Sequence, residues 1–285
     1  MTGFMRRFVS TANGSIALAI FAAIVILAIF APWIANQNPY DQAQLDIMSS
    51  RLPPGSEAFD GSYTFWFGTD DQGRDIFSAV LYGLRLSLLV ALISTSIAMV
   101  IGVSAGLAGA YFGGRFDAVL MRLVDLQLAF PSVLTALVLI ALLGAGMDKV
   151  IIAIVAAQWA YFARTLRASA MVERTKEYIQ AAHVMRFSSR RIMLRHLLPN
   201  SVAPLGVIAV VEIAAAISLE ATLSFLGVGL PITEPSLGLL ISNGYSYMLA
   251  QQYWLSLYPG IVLLLLLLSV NLIGERLRQL NNPWD

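Results

Sequence analysis

Two carboxylates, Glu212 and Glu220, stand inside one apolar run of the chain, eight residues apart. On a helix of 3.6 residues per turn their directions differ by about 80°. A carboxylate in such a run is costly and usually faces a bundle interior or an aqueous cavity. The pair can therefore line a transport pathway or make a hydrogen-bonded contact between helices. A second set is Asp70-Asp71-Gln72-Gly73-Arg74-Asp75. Its acid spacing is not that of a calcium loop. It reads as a turn closed by Asx bonds and an Arg–Asp pair, ahead of a membrane-surface helix. His183 and His196 lack the spacing of a zinc enzyme, and there is no cysteine, so no metal site is expected.

The third set is basic and runs from Glu177 to Pro199. Ile179, Ala182 and Met185 recur at three-residue steps, which gives a short helix one apolar face. Ser188 or Ser189 can cap a second helix through Arg190 and Arg191 to Leu198, stopping at Pro199. Two short basic helices held at an angle between apolar runs make a docking surface; an ordinary basic loop is the plainer reading. The two lysines, Lys149 and Lys176, are not part of the Gly-Lys-Ser/Thr of a phosphate-binding loop. If ATP drives this protein, another subunit binds it.

The elements that must position these groups are membrane spans. Of the 285 residues, 58% are hydrophobic and 12% charged, against about 45–50% and about 25% in soluble domains. A net charge of +1 points to no nucleic-acid partner. The fold class expected is an all-α membrane protein with six transmembrane helices at about residues 15–35, 84–112, 118–145, 150–171, 201–230 and 255–274. The first run exceeds the about 7–15 residues of a signal-peptide core, so it is expected to be a retained span. Two domains are expected: 1–83, with the first span and an external loop, and 84–285, the core, with a basic loop at 172–200.

The loop before the second span holds seven acids, Asp41, Asp46, Glu57, Asp60, Asp70, Asp71 and Asp75, against Arg51 and Arg74. Fourteen of the eighteen bases, among them Arg6, Arg7, Arg115, Arg122 and those of the basic loop, fall on the opposite side. That asymmetry places both termini in the cytoplasm. In the second span Ser94, Ala98, Gly102, Gly106 and Ala110 are four apart, a small-residue seam for a second helix. Gly113 to Asp117 is expected to form a tight turn, Arg122 and Asp125 to pair within the third span, and Pro131 to kink or break that span. The stretch 231–253, with Pro235, is expected to be an outer loop.

The basic loop resembles the EAA loop of ABC-importer permeases, whose pattern is Glu-Ala-Ala, three residues, Gly, nine residues, Ile-x-Leu-Pro. Ala181, Ala182, Leu198 and Pro199 fit in register; Gln180 replaces the Glu, Arg186 the Gly and His196 the Ile. Phe67 to Asp75, Met121 to Pro131, Arg195 to Asn200, Glu220 to Gly227 and Tyr258-Pro259-Gly260 are similar, in order, to blocks of the C-type permeases of dipeptide, oligopeptide and nickel importers. The resemblance implies the type I importer permease fold and bacterial inner-membrane localisation. It also implies a second homologous permease, two cytoplasmic ATPases carrying ATP and Mg, and an external solute-binding protein. The chain would be no enzyme itself. Glu177, Gln180, Ala181, Ala182, Arg186, Arg190, Arg191, Leu198 and Pro199 would dock an ATPase, with Ala182 on the docking face because a small side chain allows close approach. Glu212 and Glu220 are the candidates to line a pathway for short peptides, nickel or another small solute. The rival reading is a secondary transporter or channel, which needs no docking helices.

Overall fold

The computed structural model describes residues 7–281 except 42, 44, 60, 232 and 235, so Arg6, Asp60 and Pro235 of the reading above lie outside the described residues. The chain is helical. In order come α1 (Ala12–Ile34), a two-residue hairpin of β1 (Ser56–Glu57) and β2 (Thr64–Phe65), α2 (Ile76–Phe112), α3 (Gly114–Ala129), α4 (Ser132–Leu143) and α5 (Met147–Arg174). There follow α6 (Glu177–Val184), a helical stretch α7 over 189–201, α8 (Leu205–Phe225), α9 (Leu237–Tyr245) and α10 (Trp254–Asn281). Among the described residues α1, α2, α5, α8 and α10 are long and apolar enough to cross a membrane, and α3 with α4 makes a sixth crossing if that pair is one span.

α2 starts at Ile76, eight residues before the expected Leu84, so the boundary placed at 83/84 falls inside a helix. The reason is its cap. The Asp75 carboxylate accepts bonds from the Phe77 and Ser78 amides and the Ser78 hydroxyl, satisfying donors that a helix start leaves bare. Gly83, which reads as a loop residue, is buried within the helix. Arg74 pairs with Asp70 at 2.6 Å, as expected, but the turn leads into the long span and not into a surface helix. Gln37 ties the end of α1 to this cap: its side-chain oxygen accepts from the Asp75 amide at 2.8 Å.

α2 packs most extensively along α5. Ser94, Ala98, Gly102, Gly106 and Ala110 are all buried. A Cβ on Gly102 would collide with the Trp159 carbonyl, and one on Gly106 with the Ala163 carbonyl. The small-residue stripe is thus the seam that lets two backbones approach closely.

The third span is not one kinked helix. α3 and α4 meet at 93°. Pro131 has no amide to donate, and its ring holds the preceding Phe130 in extended backbone, φ −91° and ψ 138°, so the helix stops and restarts. The turn before α3 is also shorter than expected: Gly113 alone separates the helices, with φ +64°, and Gly114 to Asp117 are already helical. Nor do Arg122 and Asp125 pair. Asp125 binds Arg164 and Asp117 binds Arg167, so both carboxylates clamp α3 to α5. An i, i+3 partner on one helix loses to an arginine facing it from the next. The expected outer loop at 231–253 contains α9, capped by the Ser236 hydroxyl, which accepts from the Leu239 amide at 3.3 Å.

Candidate functional site

The basic loop stands on one buried cluster. Ile179 and Ala182 of α6 and Ile192 and Leu197 of α7 pack with Leu107 and Ala110 of α2 and Phe162, Leu166 and Ala170 of α5. Two helices of only a few residues are marginal alone, so this burial is what folds them. Arg174 adds a tie, its guanidinium donating to the Ala110 carbonyl at 2.8 Å. Lys176 pairs with Glu173 at 2.7 Å, and the Tyr178 hydroxyl donates to the same carboxylate. Loss of hydration and that bond push the Tyr178 phenol up to about 12.

Ala182 is therefore on the inward face, not the docking face, and its small side chain serves packing inside this chain. Met185 leaves the expected apolar face and is 60% exposed, next to Val184 at 83%. Glu177, Gln180, Ala181, Arg186, Arg190, Arg191 and Pro199 are exposed, and Leu198 is partly so. Gln180, in place of the family's Glu, donates to the Thr175 carbonyl at 3.1 Å. Glu177 lies in the first turn of α6, where a carboxylate complements the helix dipole.

At Arg186 the backbone is left-handed, φ +55°. The Phe187 amide donates to the Ala182 carbonyl at 3.1 Å and the Arg186 amide to the His183 carbonyl at 2.9 Å. That bond pair is a Schellman helix end, whose left-handed position is usually glycine. The turn thus has the hand a glycine would give it, adopted by an arginine at a cost of about 1–2 kcal/mol. Phe187 then stacks on His196, with centroids 5.8 Å apart, and carries the Arg191 guanidinium 4.1 Å from its ring centre. These contacts fix the angle between α6 and α7.

α7 does not stop at Pro199. Ser188 sits at its start without a side-chain cap bond. The stretch is α-helical at Ser189–Arg191, π-helical over Ile192–Leu197 and α-helical again to Ser201. In the π segment the Leu198 amide donates to the Met193 carbonyl, five residues back. That wider turn makes room for a proline ring which would otherwise strike the preceding turn.

The two buried acids part company. Glu220 has no exposed surface. One of its oxygens accepts from the Ser87 hydroxyl of α2 at 2.7 Å and the other from the Ser224 hydroxyl at 2.8 Å. Of its two readings the interhelical contact is the one the structure shows. Glu212 is also buried, but no described residue bonds its carboxylate. Its backbone carbonyl accepts from Gln158 of α5 at 2.7 Å, and Thr95 of α2 bonds the other end of that amide at 3.3 Å. Among the described residues no group of three metal-ligating side chains occurs. The exposed Val184–Met185 tip and the Phe187 stack escaped the sequence reading; the signal for the tip was two apolar residues beside a turn.

The comparisons match this geometry. Residues 98–284 match the family described as binding-protein-dependent transport system inner membrane component, and residues 2–54 match the N-terminal TM domain of oligopeptide transport permease C. A di/tripeptide transport system permease protein of Pseudomonas aeruginosa is 34% identical over 280 residues, covering 98% of this chain and 91% of that protein. A dipeptide transport system permease protein of Alkalihalophilus pseudofirmus is 34% identical, covering 94% and 84%. A glutathione transport system permease protein of Pectobacterium atrosepticum is 33% identical, covering 98% and 90%. The MetNI methionine ABC transporter in an inward-facing conformation shares the fold, with a TM-score of 0.58 at 18% identity over 73% of this chain and 98% of that one.

Proposed function

The chain belongs to the family of binding-protein-dependent transport system inner membrane components, and from that premise we propose that it forms half of the pathway of an ATP-driven importer of short peptides. The relatives named for dipeptides and di/tripeptides support that substrate class. The observation that carries the coupling role is the exposed loop: an apolar tip, Val184 and Met185, beside Arg186, Arg190 and Arg191, on a base packed into α2 and α5. A push on that tip reaches two spans at once, because Ile179 and Ala182 are wedged against both.

In this reading two ATPases, carrying ATP and Mg, grip this loop and its counterpart on a second, homologous permease. A binding protein delivers solute on the opposite face. The bases gathered at the ends of α5 and α10 and along α7 support cytoplasmic termini, and the apolar spans support a multi-pass place in the bacterial inner membrane. Closure of the ATPases would move α6 with α2 and α5 and tip the pathway outward. Glu212, buried and with no side-chain partner among the described residues, is the stronger candidate to meet solute when the spans part.

The test is reconstitution of the complex with its neighbouring permease, ATPases and binding protein in liposomes. Uptake of labelled dipeptide should require both ATP and the binding protein. Uptake driven by an ion gradient with neither present would support the secondary transporter and overturn this reading.

A further inference from the structure

α1 and α2 leave between them an open cleft of about 350 Å³. Phe21, Val25 and Ile29 line it from one face of α1, Leu89 and Leu92 from one face of α2, and Ile213 of α8 closes its side. The one charged group on its wall is Arg85, a helical turn from Leu89. It lies nine residues into α2, about 13 Å along the axis from its first residue. Its side chain is exposed and makes no hydrogen bond or ion pair with any described residue. Glu234 and Arg85 both act on the Tyr40 phenol electrostatically, yet the two do not pair. Arg164, Arg167, Arg174 and Arg276 near the spans do have partners, while Arg122 of α3 is, like Arg85, unpaired among the described residues but lines no such cleft.

Tyr40 and Glu234 lie outside the spans, so Arg85 stands near the outer end of the 37-residue α2, at the level of lipid headgroups, where a cation beside hydrocarbon seeks an anion. The cleft joins that cation to an apolar furrow, a combination that suits one kind of ligand best. A phosphate takes two bonds from a guanidinium, and a hydrocarbon chain fills an apolar furrow. A peptide laid there would leave its amides unpaired against hydrocarbon. We propose that the α1–α2 cleft binds an anionic phospholipid, its phosphate on Arg85 and one acyl chain along Val25, Ile29, Leu89 and Leu92. The site requires α1 and α2 to lie in a bilayer and is independent of the solute carried.

The test is native mass spectrometry of the full chain in detergent, titrated with phosphatidylglycerol or phosphatidylcholine of the same chains. Wild type should retain phosphatidylglycerol preferentially, and Arg85→Gln should cut that retention by about tenfold while leaving phosphatidylcholine unchanged. Arg85→Lys should restore part of it. Leu89→Trp, which fills the furrow and leaves the charge, should weaken both lipids. Equal retention of the two lipids by wild type, or unchanged phosphatidylglycerol retention in Arg85→Gln, overturns the proposal. So does glycerol phosphate binding as well as the intact lipid, which would mean a plain anion site. A photo-crosslinker at position 89 that captures a protein chain and no lipid would assign the cleft to a partner helix and equally overturn it.

Discussion

The Ser87 hydroxyl donates to the Glu220 carboxylate across 2.7 Å, joining α2 to α8 through residues 133 apart in sequence. The acid is enclosed and its second oxygen is held by Ser224. Glu220→Ala strands both hydroxyls, and each unsatisfied buried group costs about 1–3 kcal/mol. A marked drop in melting temperature in detergent is the expected result. Glu220→Gln keeps one acceptor and should lose less than half as much. If Glu220→Gln melts as wild type does yet transports nothing, the acid has a pathway role and the structural account is wrong.

The left-handed Arg186 gives the second prediction. Glycine is free of the Cβ clash at φ +55°, so Arg186→Gly should stabilise the turn by about 1 kcal/mol. Arg186→Val should destabilise it by more, since a branched side chain is a poor fit there. Hydrogen exchange at the Phe187 amide, which donates to the Ala182 carbonyl, reads the turn directly. Exchange unchanged across the three proteins would mean that the Phe187 stack, and not the turn, holds the loop.

The spans could be read from the sequence because a run of about twenty apolar residues has one economical solution in a bilayer. Their ends could not. Asp75 extends α2 back to Ile76 by capping it, and neither hydropathy nor Gly83 discloses that. The seam from Ser94 to Ala110 was readable since close approach demands small residues at helical spacing. Ala182 obeys the same rule, but spacing alone does not tell which neighbour a small residue admits, and here it is α2 and α5 of its own chain. Arg122 and Asp125 misled because sequence shows neighbours along one helix and hides Arg164 on the next. At Arg186 a non-glycine residue argues for a right-handed turn or a different meeting of the two helices, yet the structure keeps the left-handed turn of the family's glycine, because the bonds of the helix end outweigh the strain.

The seam between α2 and α5 should tolerate no added bulk. Gly106→Val would drive a branched side chain into the Ala163 carbonyl and the Arg167 amide, both backbone and unable to swing aside. Overpacking typically costs about 1–3 kcal/mol, and a backbone obstacle puts this site at the upper end. The yield of monodisperse protein on size exclusion should fall sharply. Ser104→Val, on the exposed side of the same helix, should leave it unchanged; equal losses in both would deny the seam its special role.

The basic loop at 172–200 separates two kinds of damage. Val184 is 83% exposed, so Val184→Asp should leave the chain as stable as wild type. If the tip enters an apolar groove on an ATPase, burying a carboxylate there removes a contact of hot-spot size, about 2 kcal/mol or more. Peptide-stimulated ATP hydrolysis by the complex should then fall by about thirtyfold at subsaturating ATPase. Ala182→Trp acts on the other side of α6: it forces the helix off Leu107, Ala110 and Phe162, and residues 172–200 should become sensitive to protease even in the isolated chain. The contrast carries the argument. A coupling defect in Val184→Asp with a protease-resistant loop locates docking at the tip, whereas wild-type coupling in Val184→Asp would place the contact elsewhere on α6 and α7, with Arg190 and Arg191 the next residues to charge-reverse.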